Sequence, residues 1–153
     1  YQVGCGMMVG SPFQTTEDLV ADLRFMQKLR PHMVGMGPFI AHKDTPFRDR
    51  ESGSVELTLY LLSIIRLMMP KVLLPATTAL GTAMQGGREE GILCGANVIM
   101  PNLSPPSARD KYMLYDNKLR SGAEAAENIA NLRENLMKVG YDIAVDRGDS
   151  LVL

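Results

Sequence analysis

The sequence has no tryptophan, few aromatic residues and only two cysteines. Among its 153 residues, Phe, Tyr and Trp together make up 6%. Cys5 and Cys94 lie far apart and have mostly apolar neighbours. Two such cysteines provide neither a disulfide framework nor a metal-ligand spacing, so we expect reduced thiols in the core of a cytoplasmic protein. The length suits a single domain with a sizeable core.

The chain also lacks an excess of charge of either sign. Sixteen Lys and Arg residues against 17 Asp and Glu residues give a net charge of −1, and the basic residues are scattered. Nucleic-acid binders and polybasic membrane anchors need a concentrated basic patch. The longest apolar run, residues 57–70, is interrupted by Ser63 and Arg66 and is too short to cross a bilayer. We therefore expect no nucleic-acid partner and no membrane insertion.

The stretch 72–88 is the most informative part of the chain. Its apolar residues 72–76 are followed at once by Thr77 and Thr78, and a short polar turn then leads to Gly86, Gly87 and Arg88. An apolar run of this length is typical of a buried parallel strand, and ligands of α/β sheets bind beyond the carboxyl ends of such strands. The two hydroxyls are therefore expected to face a small molecule that carries an anionic group.

The same alternation of strand and helix recurs along the chain. Strands are predicted over residues 3–10, 33–40, 72–76 and 97–101, and helices over 16–29, 54–69, 87–94 and 104–114. Four βα units amount to half of a (βα)8 barrel of the TIM type, which places the protein in the α/β class. We assign residues 1–118 to this half barrel. Residues 119–153, with a helix over 121–139 and a short strand at 143–145, are expected to form a tail that caps it.

The first residues suggest that the chain belongs to a longer protein. No initiator methionine is present, and the sequence enters its first apolar strand almost immediately. We expect a carboxyl-terminal piece of a larger chain. A half barrel exposes an unpaired strand edge at each end, so a homodimer is the expected remedy for the isolated piece.

Candidate chemical groups are few. His32 and His42 have no nucleophile or carboxylate at a telling spacing, and we expect both to be hydrogen-bonded loop residues. Arg88 could bind an anion at a helix start or pair with a helix acid, and the sequence leaves both possibilities open. Met33 and Met100 lie on predicted strands, where they could line a barrel cavity or pack in the core.

Several motifs together resemble one family. They are Met-Val-Gly-Ser-Pro-Phe-Gln-Thr at 8–15, Met-Val-Gly-Met-Gly-Pro-Phe-Ile at 33–40, Pro-Ala-Thr-Thr-Ala-Leu-Gly-Thr at 75–82, Gly-Gly-Arg-Glu at 86–89 and Cys-Gly-Ala-Asn-Val-Ile-Met-Pro-Asn at 94–102. This combination is similar to the second half of the HydE family, the radical S-adenosylmethionine maturases of iron-only hydrogenase. Biotin synthase and methylornithine synthase are relatives of that family. Fragments of those two enzymes, and a non-redox half barrel that binds an anion, are the alternatives.

The resemblance implies a cofactor pair and a set of site residues. The cofactors are S-adenosylmethionine and a 4Fe-4S cluster, whose CxxxCxxC loop does not occur in this sequence. The chain alone is therefore expected to be catalytically inactive. By matching motifs, Pro38 and Ile40 would offer backbone contacts to the adenine, and Tyr112 and Tyr115 would approach the rest of S-adenosylmethionine. Substrate would be held by a second set of residues, namely Thr77, Thr78, Met33 and Met100.

Overall fold

A computed structural model of the chain describes residues 1–101, 105–109 and 129–152. These residues form a mixed α/β fold with a small parallel sheet. The elements are β1 Gly4–Val9, α1 Thr16–Leu29, β2 Met33–Pro38, α2 Val55–Met68, α3 Thr78–Ala83, α4 Gly87–Leu93, α5 Pro106–Arg109 and α6 Ile129–Lys138.

Four parallel segments lie side by side in chain order. β1 pairs with β2 from Gly4 opposite Met33 to Val9 opposite Pro38. A parallel bridge joins Met33 to Leu73, and a second one joins Pro75 to Val98. The first two predicted strands are therefore confirmed, whereas the third and fourth are reduced to single bridges.

The reason for the short third and fourth segments lies in their residues. Pro75 has no N–H to donate to a ladder. The N–H of Leu74 donates to the side-chain Oδ1 of Asn97 at 2.8 Å, so a side chain takes the place of a backbone acceptor. The carbonyl of Leu74 in turn accepts from the backbone N–H groups of Asn97 and Val98, at 2.8 and 3.3 Å.

The two faces of the sheet differ in composition. One face packs against the helices and forms the main core, whose members include Val9, Val34, Met36, Val72 and Leu74. From α1 and α2 the core receives buried residues such as Met26, Leu62 and Ile65. Because side chains alternate along a strand, the second face of β1 and β2 carries the other residues. They are mostly glycine and methionine, namely Gly4, Gly6, Met8, Met33, Gly35 and Gly37.

The two long helices begin at side-chain caps. Thr15 and Asp18 form a reciprocal capping box at the start of α1, as the sequence indicated. Ser54 Oγ accepts the N–H of Leu57 at 3.1 Å at the start of α2. Each cap satisfies backbone donors that the first helical turn leaves unpaired.

Arg66 fastens the end of α2 to the sheet. Its Nε donates to the carbonyl of Gly95 at 2.7 Å, and its Nη1 donates to those of Pro70 and Val72 at 2.8 and 3.0 Å. The apolar periodicity of α2 gave no hint of this role. The third and fourth segments are thus held at their amino ends by one guanidinium group.

The structure differs from the sequence-based predictions in two further places. α3 occupies residues that were expected to form a polar turn. The short strand predicted at 143–145 is absent, and Val145 is 95% exposed. α6 covers only Ile129–Lys138 of the helix predicted over 121–139, and residues 121–128 lie outside the described part. A search of the described residues finds no helix of sufficient length and apolarity to span a membrane.

Candidate functional site

A groove of about 500 Å³ lies at the carboxyl ends of β1 and β2. This is the edge at which parallel sheets bind ligands. It brings together three of the residues singled out from the sequence, Pro38, Ile40 and Thr77. Its other walls are mostly apolar and include Met7, Met8, Met36, Phe39, Phe47 and Ala79. The volume falls within the range of small-molecule sites.

Two buried side-chain atoms lack a hydrogen-bond partner among the described residues, Arg66 Nη2 and Thr77 Oγ1, and only Thr77 lines the groove. The residue stands at the N-cap position of α3, but its side chain makes no capping hydrogen bond. Its Oγ1 is fully buried and has no hydrogen-bond partner among the described residues. A buried hydroxyl without a partner is costly, so the position of this atom calls for an explanation beyond the local fold.

Gly37 makes the position of Thr77 possible. A Cβ placed on Gly37 would lie 2.6 Å from Thr77 Oγ1 and 3.2 Å from the Cβ of Ala79. The first of these separations is shorter than any real contact of a Cβ atom. The absence of a side chain at Gly37 therefore leaves room for the Thr77 hydroxyl beside β2.

Three segments of the chain are hydrogen-bonded to one another beside the groove. The N–H of Phe39 donates to the carbonyl of Val9 at 2.8 Å, and the N–H of Gly53 donates to that of Phe39 at 2.9 Å. A Cβ on Gly53 would overlap the Val9 carbonyl. Ile40, the next residue along the groove, makes no backbone hydrogen bond within the described part of the chain. Its amide and carbonyl are thus available to a ligand on a rigidly held segment.

Side chains that the sequence did not single out also shape the groove. Phe39 and Phe47 line it and meet edge to face at 6.4 Å between ring centroids. Phe47 also contacts Phe13, whose ring lies 5.0 Å from the Arg50 guanidinium carbon. His42 lines the groove as well. The sequence shows Phe39 at a strand end and a second phenylalanine eight residues later. This pattern does not distinguish residues that line a ligand groove from residues of the core.

The other residues inferred from the resemblance lie elsewhere. Thr78 is the first residue of α3 and does not line the groove. Met33 lies at the opposite end of β2 from Pro38, about 16 Å away at the usual strand rise. Met100 is 55% exposed and lines none of the cavities described here. Tyr112 and Tyr115 lie outside the described residues.

Met33 lines a second cavity, of about 600 Å³, at the amino ends of the segments. Leu73, Val98 and α6 form its apolar wall, and the tail from 141 to 148 closes one side. Arg133 Nε donates to Asp142 Oδ1 at 2.6 Å. That bond, together with the backbone N–H of Ile143, holds the pKa of Asp142 below its usual value. These contacts fasten the tail to α6.

Arg88 belongs to a separate pocket of about 360 Å³, beside Thr82, Gln85 and Asn131. The arginine is 8% exposed. It does not line the Thr77 groove. For the alternative non-redox half barrel, the anion was expected at Thr77, Thr78 and residues 86–88; in the described part of the chain Thr77 and Arg88 line two different pockets.

Both histidines accept hydrogen bonds through Nδ1, as expected for loop residues. His32 accepts from the N–H of Val3 at 3.0 Å, and His42 accepts from the N–H of Asp44 at 3.1 Å. The ring of His42 is thus held within its own loop, whereas that of His32 is held by the segment that precedes β1.

The cysteines are free and half-buried. Burial, with a smaller contribution from the charge of Asp22, raises the pKa of the Cys5 thiol. Within residues 1–101, 105–109 and 129–152, no three His, Cys, Asp or Glu side chains come close enough to hold a metal ion.

Comparisons with known proteins give three relatives. The chain is 49% identical over 119 residues to the [FeFe] hydrogenase maturase subunit HydE of Thermotoga maritima, a match that covers 78% of this chain and 34% of that protein. It is 32% identical over 114 residues to the 3-methylornithine synthase of Methanosarcina barkeri, covering 72% of the chain and 30% of that enzyme. The corresponding enzyme of Methanosarcina acetivorans is 27% identical over 136 residues, or 89% of the chain and 37% of the enzyme.

No model of a known protein family matches the chain. The chain spans about a third of the length of the curated relatives it matches. Identity of 49% over more than a hundred residues nevertheless establishes homology to HydE. We conclude that this chain belongs to the HydE family.

Proposed function

We propose that the chain is part of a radical S-adenosylmethionine enzyme that acts in assembly of the active-site cluster of iron-only hydrogenase. The proposal rests on the 49% identity to a hydrogenase maturase subunit. Activity is assigned to the parent protein and not to these residues alone.

Within the parent, we propose that residues 1–118 supply strands five to eight of a (βα)8 barrel and that residues 119–153 cap it. Four parallel segments that neighbour one another in chain order, with helices packed on one face, support this arrangement. Consecutive parallel neighbours are the order that a barrel requires. The glycine- and methionine-rich second face would then face the barrel interior.

The groove residues fit S-adenosylmethionine and a small anionic substrate. The free amide and carbonyl of Ile40, next to Pro38, offer the donor and acceptor that an adenine edge needs. The unpartnered Thr77 hydroxyl would donate to the anionic group of the substrate. Beside a reduced 4Fe-4S cluster, S-adenosylmethionine supplies a radical that abstracts hydrogen. The task of this chain would be to bind, to orient and to exclude water with its apolar walls.

Cluster ligands are not part of this contribution. The sequence has two cysteines, and no CxxxCxxC loop connects them. We therefore assign cluster ligation to residues of the parent outside this chain. Tyr112, Tyr115, Thr78, Met33 and Met100 remain candidates whose contribution depends on the complete barrel.

The observation that carries the proposal beyond homology is the buried Thr77 hydroxyl in a groove shared with Pro38 and Ile40. The test uses the parent protein, with its cluster, in a hydrogenase activation assay. We expect activation by the parent and a loss of at least ~10-fold for Thr77→Val, because one hydrogen bond to a charged group is worth about 1.5–3 kcal/mol. Activation unchanged by the substitution would contradict the role of Thr77.

Methylornithine synthesis is the second candidate, because both Methanosarcina enzymes match much of the chain. Assaying the same parent for hydrogenase activation and for methylornithine formation separates the two functions. Biotin formation by the parent would instead favour biotin synthase, which the sequence motifs also resemble. If the chain binds phosphate and the parent does not bind S-adenosylmethionine, a non-redox anion-binding function is favoured.

We also propose that the isolated chain covers the free edge of β1 by pairing with a second copy. β1 has one strand neighbour among the described residues, and unpaired edges invite further pairing. Addition of the separately produced remainder of the parent should dissociate such a dimer.

A further inference from the structure

The outer surface of α2 carries an apolar stripe that is independent of the groove. It consists of Leu57, Tyr60, Ile64 and Leu67, spaced by three, four and three residues, which places them on one side of a helix. Leu57 is 37% exposed, Tyr60 64% and Leu67 82%, and Ile64 is half-buried. We call these four residues the α2 stripe.

Ile64 is partly buried against the main core, whereas the other three residues of the stripe are exposed. The core side of α2 is supplied by other residues, Thr58, Leu61, Leu62 and Ile65, all of them buried. A helix on the surface of a globular protein normally presents polar residues on its outer side. α2 has two charged residues: Glu56 lies in the first turn, before the stripe begins, and Arg66 is turned away to bind the carbonyls of Pro70, Val72 and Gly95. An uninterrupted apolar surface thus runs along the outside of the helix.

We infer that the α2 stripe binds the same stripe of a second copy of the chain, with the two helices antiparallel. A two-fold axis between Tyr60 and Ile64 would place Leu57 of one copy opposite Leu67 of the other, and Tyr60 opposite Ile64. The stripe is therefore complementary to itself under the symmetry that most homodimers use.

The charges at the two ends of the stripe favour the antiparallel arrangement. Glu56 is exposed at the amino end of α2, and Lys71 is exposed just beyond its carboxyl end. Antiparallel helices bring Glu56 of one copy toward Lys71 of the other at both ends. A parallel arrangement would place like charges together, and it would also align the two helix dipoles unfavourably.

The area of the α2 stripe determines how strongly two copies are expected to associate. Side chains of this kind expose a few hundred Å² together, about half of the ~800 Å² per partner in a standard interface. We therefore expect reversible association at micromolar concentrations. The inference rests on the proposed barrel, in which the helices lie outside the strands and leave the α2 stripe on the surface, but not on the proposed activity.

Disulfide trapping tests the arrangement directly. A Leu57→Cys chain mixed with a Leu67→Cys chain should form a mixed disulfide under mild oxidation, because the two positions face each other. Position 57 of one copy lies about 15 Å from position 57 of the other in the antiparallel pair, too far for a disulfide. Tryptic peptides 51–66 and 67–71 separate the two positions, so mass spectrometry identifies which cysteines are joined.

Sedimentation measures the association itself. We expect Leu67→Glu to raise the dissociation constant of the parent at least ~10-fold; the parent is used because its remaining strands cover the β1 edge, through which the isolated chain would also associate. Phe25→Glu is the matched control, since Phe25 is 58% exposed on α1 and outside the stripe, and it should leave association unchanged. A disulfide between two copies of position 57 would overturn the antiparallel arrangement. Absence of the mixed disulfide, or association unaffected by Leu67→Glu, would overturn the interface.

Discussion

Replacement of Thr77 by valine should stabilise the ligand-free chain and weaken ligand binding. The two side chains have nearly the same shape, so the change removes a hydroxyl without opening a cavity. The hydroxyl is buried and unpartnered among the described residues. Removal of an unsatisfied buried hydroxyl should relieve a desolvation penalty that lies in the range of about 1–3 kcal/mol.

The expected gain in the free energy of unfolding is about 1 kcal/mol, the lower end of that range. For a chain of this length such a gain raises the melting temperature by about 3 °C. With the anionic substrate bound in the parent, the same substitution loses one hydrogen bond to a charged group. The expected loss of affinity is about 10- to 100-fold.

Thr58→Val is the matched control. Thr58 is fully buried, and its Oγ1 donates to the carbonyl of Ser54 at 2.8 Å. The same chemical change at this position removes a formed hydrogen bond and should destabilise the chain by about 1 kcal/mol. Urea unfolding of both variants measures the change in the free energy of unfolding, which should be positive for Thr77→Val and negative for Thr58→Val. Destabilisation of Thr77→Val by as much as Thr58→Val would refute the argument, because it would show that the Thr77 hydroxyl serves the fold.

Three further predictions concern the scaffold. Gly6→Ala should destabilise the chain by at least ~2 kcal/mol in urea unfolding, because its Cβ would overlap the carbonyl of Gly35, whereas Gly35→Ala meets nothing within 4 Å and should change stability by less than ~1 kcal/mol. Arg66→Met should cost about 2–4 kcal/mol by the same assay, since it removes three hydrogen bonds to carbonyls, and a cost below ~1 kcal/mol would contradict the fastening role. Hydrogen bonds from the backbone and side chain of Thr15 lower the pKa of Asp18, so its stabilising effect is present above the ordinary aspartate pKa and is lost as the pH falls through the lower folded-state value. The free energy of unfolding of Asp18→Asn should therefore fall less on acidification than that of the unmodified chain. The same pH dependence in both proteins would contradict this.

Local signals in the sequence predicted several elements correctly. The first two strands and the helices α1 and α2 follow from the period of the apolar residues and from the residues that end each element. The position of Thr77 at the carboxyl edge of the sheet was also predictable, because an apolar segment that ends in hydroxyls has a defined direction.

Features that depend on tertiary contacts were not predictable. Packing of α2 against the sheet buries Leu62 and leaves Leu57 partly exposed, and apolar periodicity alone does not decide between the two. The reduction of the third and fourth strands depends on the side chain of Asn97 reaching across to Leu74. No local pattern reveals that contact. Met33 lies far from the groove because it is the first residue of β2, whereas the groove lies at the end of that strand.

The central claim is that the groove at Pro38, Ile40 and Thr77 is the ligand edge of a HydE-family barrel. A crystal structure of the parent with S-adenosylmethionine and substrate tests it most directly. The account predicts adenine within hydrogen-bond distance of the Ile40 backbone and an anionic group of the substrate at Thr77 Oγ1. Both ligands bound elsewhere, with Thr77 Oγ1 hydrogen-bonded to another part of the protein, would contradict it.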